Sequence, residues 1–232
     1  MKTYNIAVIL AGGTGSRIGG EVPKQFLPLV DGLSVLEHSI IAFEQSPDID
    51  EIALVMHPDH LKRVMEICGA NRWQKVTKII SGGNERWESS YHAIMAYHDE
   101  YEDNEDICLW FHDAARPYVS QEIIHRVAEA LQDQSAVTVA VPVTDTLYKV
   151  ESEARLVAEV PDRSMFMRAQ TPQAFRYNVI KPAYFAAIES REHIDSTDDV
   201  GMLMRYAPGI PVFIVTGAEE NKKITYLSDL PK

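Results

Sequence analysis

The stretch Leu10–Leu29, LAGGTGSRIGGEVPKQFLPL, sets a glycine-rich loop directly after the apolar run Ile6–Leu10. Glycine lacks the Cβ that would keep a ligand off the backbone, so such a loop can bring N–H groups up to a phosphate chain. Arg17 and Lys24 add two fixed cations beside it. Two commoner phosphate loops do not fit. The dinucleotide fingerprint G-x-G-x-x-G is met at Gly13 and Gly15 but ends on Ile18, which counts against a nicotinamide-dependent oxidoreductase. The P-loop spacing is met by Gly15 and Gly20, but Glu21 stands where lysine is required. The plainer alternative, a loose glycine turn after an edge strand, has no use for Arg17, Pro23 and Lys24. A second candidate is His112-Asp113, which follows the apolar run Ile107–Phe111. Ligands of open α/β sheets gather outside the carboxyl ends of the strands. No zinc spacing is present, and His57 and His60 flank Pro58 as in a surface turn.

Holding these residues requires a sheet. Apolar runs alternate with helical patterns, as in a mostly parallel sheet with crossover helices. Strands are expected at Asn5–Ala11, Glu51–Met56, Val76–Ile80, Asp106–Phe111, Ala136–Val141 and Pro211–Thr216, the fourth being central. The first helix opens on a capping box of Ser34 and Glu37 and runs through Gln45. Others are expected at Asp59–Cys68, Arg86–His98 and Ser120–Gln132. A further one spans Asn178–Glu189, with Pro182 kinking it or shortening its start. The last runs to Tyr206 from an N-cap at Ser196 or Thr197. Thr171-Pro172-Gln173 reads as a structural turn. Between 142 and 167, Thr146–Val150 and Arg155–Val160 flank the polar Glu151-Ser152-Glu153 and read as a hairpin. Two strands alone are marginally stable, so this arm needs a partner surface or its own sheet. The expected architecture is one three-layer, Rossmann-like α/β domain over 1–232, with the arm at 142–167.

A chain of 232 residues can bury a substantial core. No apolar run approaches a membrane span, and MKTYNIAVIL reads as a first strand, not a signal peptide. Cys68 and Cys108 read as small buried apolar residues, so a reducing cytoplasm fits. The net charge of −12 argues against nonspecific nucleic-acid binding.

LAGGTGSR followed by PKQFL resembles the opening signature of the bacterial cytidylyltransferases that activate sugar-alcohol phosphates. The ribitol-5-phosphate and 2-C-methyl-D-erythritol 4-phosphate cytidylyltransferases are its two near branches. The resemblance recurs at GGNER (82–86), HDAARP (112–117), DTLYK (145–149), DRSMFMRAQTPQAF (162–175), STDD (196–199) and ENKKIT (220–225). It implies attack by a phosphate-monoester oxygen on the α-phosphorus of CTP, with release of pyrophosphate. It implies that Leu10, Ala11, Gly12, Gly13, Thr14 and Gly15 wrap the triphosphate. Arg17, Lys24 and Lys223 would be catalytic cations, with Lys222 an extra cation in the pattern. Gly82, Gly83, Arg86 and Ser89 would read the cytosine, and Asp113 would take Mg²⁺. Arg116, Thr146, Arg163 and Asp198 would hold the acceptor, with Arg163 reaching the site of a neighbouring subunit in a homodimer. In the resembling families the chain continues into a further helix past the position of Lys232. Taken singly, Arg86 and Arg116 also read as ion-pair residues, and Asp198 as a helix cap.

An acidic chain that binds an anionic triphosphate must concentrate cations locally and recruit Mg²⁺. LAGG, ESS (88–90) and TDDVGMLMRY (197–206) resemble the ribitol branch, whereas HDAARP is at home in the methylerythritol branch of isoprenoid precursor synthesis. The expected acceptor is ribitol 5-phosphate or a similar polyol phosphate. A non-catalytic nucleotide-binding regulatory module would keep the glycine loop but could lose Lys24, Asp113 or Lys223, and all three are present.

Overall fold

A computed structural model describes residues 3–13, 22–101, 104, 106–151 and 155–230. The strands of the main sheet are β1 (Tyr4–Ala11), β2 (Glu51–Met56), β3 (Val76–Ser81), β4 (Ile107–Asp113), β5 (Ala136–Pro142), β8 (Met167–Arg176) and β9 (Phe213–Thr216). A separate hairpin holds β6 (Lys149–Glu151) and β7 (Leu156–Glu159). The helices are α1 (Val35–Glu44), α2 (Leu61–Asn71), α3 (Arg86–Met95), α4 (His98–Tyr101), α5 (Gln121–Asp133), α6 (Tyr177–Glu189) and α7 (Asp199–Tyr206).

The sheet order is β3-β2-β1-β4-β8-β5-β9. β4 lies at its centre, as its apolar run requires. Alternation within β1 divides the core between two faces. Ala7 and Ile9 join Leu36, Ile40 and Phe43 of α1, Val64 of α2 and Ile124 and Val127 of α5. Ile6 and Val8 join Ile94 of α3, Ile180 and Tyr184 of α6 and Leu203 of α7. The result is the expected three-layer α/β architecture.

The capping box forms as expected: Ser34 Oγ accepts from the N–H of Glu37, and Glu37 Oε2 accepts from the N–H of Ser34 at 2.8 Å. Other expectations are corrected. The helix expected over Arg86–His98 ends at Met95, and a short helix follows. Pro182 does not shorten α6, which begins at Tyr177 and runs past it. Asp198, not Ser196 or Thr197, is the N-cap of α7, and its Oδ1 accepts from the N–H of Gly201 at 2.8 Å.

The largest departure is β8, which the sequence does not announce. It runs antiparallel between β4 and β5, while the other neighbouring strands of the sheet pair in parallel. Thr171-Pro172-Gln173 therefore lies within a strand and is not a turn between elements. Thr138 pairs with Gln173 and Val139 with Gln170, so Thr171 and Pro172 bulge out of the ladder. A proline inside a sheet demands this, because it has no N–H to donate.

A hairpin forms within 142–167 as expected, but its first strand is Lys149–Glu151 and not Thr146–Val150, and its second is Leu156–Glu159. Among the described residues its strands pair only with each other, and every position of both is exposed. Its large apolar side chains Val150, Leu156 and Val157 are exposed with them.

At the amino end of β2, far along the strand from the glycine loop, buried Glu51 accepts from Tyr97 Oη at 2.7 Å, from Tyr4 Oη at 3.3 Å and from Thr77 Oγ1. Glu51→Leu leaves these hydroxyls without their acceptor. It is expected to lower the unfolding free energy by about 2 kcal/mol, measured by chemical denaturation.

Candidate active site

The carboxyl ends of β1 and β4, the start of α3 and the 220–225 segment enclose a cleft of about 480 Å³. Leu10, Ala11, Gly12, Gly13, Lys24, Gly83, Arg86, Ser89, Asp113 and Lys223 line it. A hollow of about 190 Å³ adjoins it, lined by Arg116, Thr171, Gln173 and Asp198, and shares Arg86, Asp113, Thr197 and Lys223. Thr14, Gly15 and Arg17 lie outside the described residues.

The first loop is held from behind. Gln25 is buried in the 3₁₀ turn Lys24–Phe26, and its Nε2 donates to the carbonyls of Ala11 at 3.1 Å and Gly13 at 3.4 Å. Lys24 Nζ donates to the carbonyl of Ile224 at 3.3 Å, tying this turn to the late lysine segment. Across the cleft, the N–H of Gly83 donates to Ser89 Oγ at 3.1 Å. A Cβ on Gly82 would meet Ser89 Oγ at 2.9 Å, and one on Gly83 would meet Glu88 Cβ at 2.2 Å. Glycine is therefore required at both positions by local packing.

Asp113 is the electrostatic centre. Its Oδ2 accepts from Lys223 Nζ at 2.7 Å, and its Oδ1 lies 3.4 Å from Arg86 Nε. Burial alone would raise its pKa, but the charges of Arg86 and Lys223 and the hydrogen bond from Lys223 outweigh that and hold the carboxyl well below the usual range. Arg86 also lies 2.7 Å, Nη2 to Oδ2, from fully buried Asp199. Arg86 is thus an ion-pair residue, but one that bridges two carboxylates inside the site.

Arg116 donates to the carbonyls of Asn221 at 2.8 Å and Ala169 at 3.2 Å, and Asn221 Nδ2 donates to the carbonyl of Thr171 at 2.9 Å. These bonds fasten the segment carrying Lys223 to β8. Asp198 spends Oδ1 on its cap and accepts from Gln173 Nε2 at 2.8 Å through Oδ2. Thr146 and Arg163 do not line either hollow of their own chain. Arg163, in the 3₁₀ turn Arg163–Met165, donates to the carbonyl of Thr144.

Sequence reasoning placed His112 at the ligand end of a strand but gave it no partner, and it missed Thr171, Gln173, Gln25 and Asp199 as site residues. His112 is buried, with Nε2 3.0 Å from the carbonyl of Arg116 and Nδ1 3.1 Å from Thr171 Oγ1. A carbonyl can only accept, so Nε2 carries the proton and Nδ1 accepts from the Thr171 hydroxyl. Thr171 Oγ1 in turn accepts from the N–H of Asp113 at 3.1 Å. This chain of hydrogen bonds fixes the backbone of Asp113. The motifs HDAARP and QTPQ contain its members, but nothing in their spacing pairs them.

Solved structures supply the class. A 4-diphosphocytidyl-2C-methyl-D-erythritol synthase of Anaerococcus prevotii superposes with a TM-score of 0.82 over 98% of this chain and 93% of that one, at 24% identity. The 2-C-methyl-D-erythritol 4-phosphate cytidylyltransferase of Thermus thermophilus has a TM-score of 0.71 over 99% and 95%, at 29% identity. The fold is that of the α/β nucleotidyltransferases. Residues 5–232 match the family model for IspD, 2-C-methyl-D-erythritol 4-phosphate cytidylyltransferase, and the chain belongs to that family. A 2-C-methyl-D-erythritol 4-phosphate cytidylyltransferase of Thermobifida fusca is 44% identical, covering 97% of this chain and 89% of its own. The bifunctional ribulose 5-phosphate reductase/CDP-ribitol pyrophosphorylase Bcs1 of Haemophilus influenzae is 38% identical. This chain covers 47% of that protein, and 99% of this chain is covered. The chain is a nucleotidyltransferase of the cytidylyltransferase class.

Burial pushes the pKa of His112 down to about 4, despite its backbone hydrogen bond. Because the unfolded chain binds the proton more tightly, His112 contributes stability that is complete above its unfolded pKa of about 6.5 and is lost as pH falls through about 4. Stability followed by denaturation from pH 7 to pH 4 is expected to decline, by up to about 3 kcal/mol from this residue. His112→Gln should flatten that decline.

Proposed function

We propose that the chain transfers CMP from CTP to 2-C-methyl-D-erythritol 4-phosphate and releases pyrophosphate. The observation that carries the reading is the Asp113–Lys223 pair in the lining of a glycine-lined cleft, in a chain matched by the methylerythritol family model over residues 5–232. The sequence reading leaned to ribitol 5-phosphate. The family model and the 44% identical relative carry the methylerythritol name, while the ribitol name falls on a relative at 38%. The ribitol acceptor remains the second reading on that likeness.

The chemistry asks little of a base. A phosphate monoester has its second pKa near ~6, so its oxygen is largely ionised at neutral pH. A new P–O bond forms at the α-phosphorus as the bond to the pyrophosphate oxygen breaks. Catalysis is then positioning and charge stabilisation. Backbone N–H groups of the first loop hold the triphosphate. Lys24 and Lys223 offset charge at the reacting phosphorus and on the leaving pyrophosphate, joined by Arg17. Gly83 and Ser89, which line the cleft, face the base, with Gly82 packed behind Ser89. Arg116 and Asp198 lie on the acceptor side, although both have hydrogen-bond partners within the chain.

Asp113 fits a magnesium ion. Among the described residues no three His, Cys, Asp or Glu side chains form a metal cluster. One ionised carboxylate beside a phosphate-binding loop is nevertheless a normal magnesium site, with phosphate oxygens completing the shell. When bound, the ion would supply charge neutralisation to the phosphates.

Purified protein incubated with CTP, UTP, ATP or GTP and either acceptor is expected to release pyrophosphate fastest with CTP and methylerythritol phosphate, and to stop with a chelator. Faster turnover of ribitol 5-phosphate would install the second reading. Equal use of UTP would remove the cytidylyl assignment.

The exposed arm supports a homodimer in which Arg163 serves the neighbouring site. Lys24→Ala is expected to lower kcat by ~10²-fold or more, and Arg163→Ala to be inactive by itself. In mixed dimers one site carries both lesions and the other neither. With random exchange about half the dimers are mixed, and recovery should approach about a quarter of wild-type activity. Demonstrated exchange without recovery would confine Arg163 to its own subunit.

A further inference from the structure

Arg86, Asp113, Asp199 and Lys223 form a chain of two positive and two negative charges. Lys223 and Arg86 both address Asp113, and Arg86 links Asp113 to Asp199. The distances are unequal. Arg86 Nη2 lies 2.7 Å from Asp199 Oδ2 as a charge pair, while Nε donates a long hydrogen bond of 3.4 Å to Asp113 Oδ1, so the closer approach of charge is to Asp199. Asp199 is itself immobilised. It has no exposed surface, its Oδ1 accepts from Tyr184 Oη at 2.6 Å, and its N–H donates to Gln173 Oε1 at 3.0 Å. Tyr184 is fully buried in α6, and Gln173 belongs to β8. Asp199 thus has a rigid setting behind the cleft and is not part of the lining of the main cavity.

We propose that Asp199 is a positioning residue that holds Arg86 back from Asp113, leaving Oδ1, the carboxylate oxygen that Lys223 does not take, available to a divalent cation. This rests on the magnesium-dependent reading given above. Without the charge of Asp199, Arg86 has one carboxylate left to satisfy it. It then closes on Asp113 and competes with the cation. The same loss makes the cleft more positive by one charge, which favours the bare triphosphate. The two effects have opposite signs, whereas a purely structural role for Asp199 would weaken every ligand together.

The test is the affinity for CTP measured by calorimetry, once with EDTA and once with saturating Mg²⁺, without acceptor. The ratio of the two is the gain due to magnesium. Asp199→Asn is expected to cut this gain about tenfold while leaving binding in EDTA unchanged or tighter. Combining Arg86→Gln with Asp199→Asn removes the competitor and restores the gain at least to the wild-type value. Should Asp199→Asn alone fail to fold, because it removes the charge of fully buried Asp199 from an ion-pair network, the other two forms decide. Arg86→Gln should then raise the gain above wild type, and adding Asp199→Asn to it should change the gain little, because Asp199 acts through Arg86. Equal weakening of CTP in both buffers, or a gain unchanged in all variants, overturns the proposal and leaves Asp199 as a support for α7. A wild-type protein with no gain from Mg²⁺ overturns the magnesium reading itself, and this inference with it.

Discussion

The contact between Asp113 and Lys223 is the constraint on which the site depends. The two residues are 110 positions apart in sequence and 2.7 Å apart in space. A carboxylate as enclosed as Asp113 is strongly unfavourable unless cations approach it. Lys223 and Arg86 do so, and Arg86 draws in Asp199 in turn. The end of β4, the start of α3, the start of α7 and the 220–225 segment must therefore converge. That convergence encloses the cleft.

Beneath the charges lies a neutral hydrogen-bonded support. The buried bulge of β8 presents Thr171 to His112 and Asp113, and Gln173 to Asp198 and Asp199. One antiparallel strand thereby sets both the backbone of Asp113 and the cap of α7. A parallel strand entering from the other direction would offer different residues at this level. The departure from an all-parallel sheet is thus what joins the main cleft to the smaller hollow beside it.

The chain carries a net charge of −12, yet Lys24, Arg86, Arg116 and Lys223 collect at the carboxyl ends of its strands. Each is fixed by a named acceptor: the carbonyl of Ile224, the carboxylate of Asp199, the carbonyl of Asn221 and the carboxylate of Asp113. Fixed cations in a partly enclosed cleft stabilise developing negative charge without having to reorganise. The exposed hairpin carries Val150, Leu156 and Val157 with no covering from its own chain among the described residues.

The sequence by itself determined the elements whose signals are local. The apolar runs of β1, β2, β4 and β5, the capping box at Ser34 and the polar-interrupted hairpin are each written within a few residues. Residue spacing and family likeness also marked Lys24, Gly83, Arg86, Ser89, Asp113 and Lys223, and the fold assembles these around one cleft. What only the tertiary structure decided depends on partners distant in the chain. β8 was hidden because its centre carries Thr171-Pro172, a turn signal that becomes a bulge only when strands lie on both sides. Asp199 gave no sign of its pairing with Arg86, and although Asp198 was legible as a helix cap, its second bond, from Gln173 of β8, was not. Local pattern fixes which face of an element is apolar. The choice of ionic and hydrogen-bond partner is made by burial, which a linear sequence does not contain.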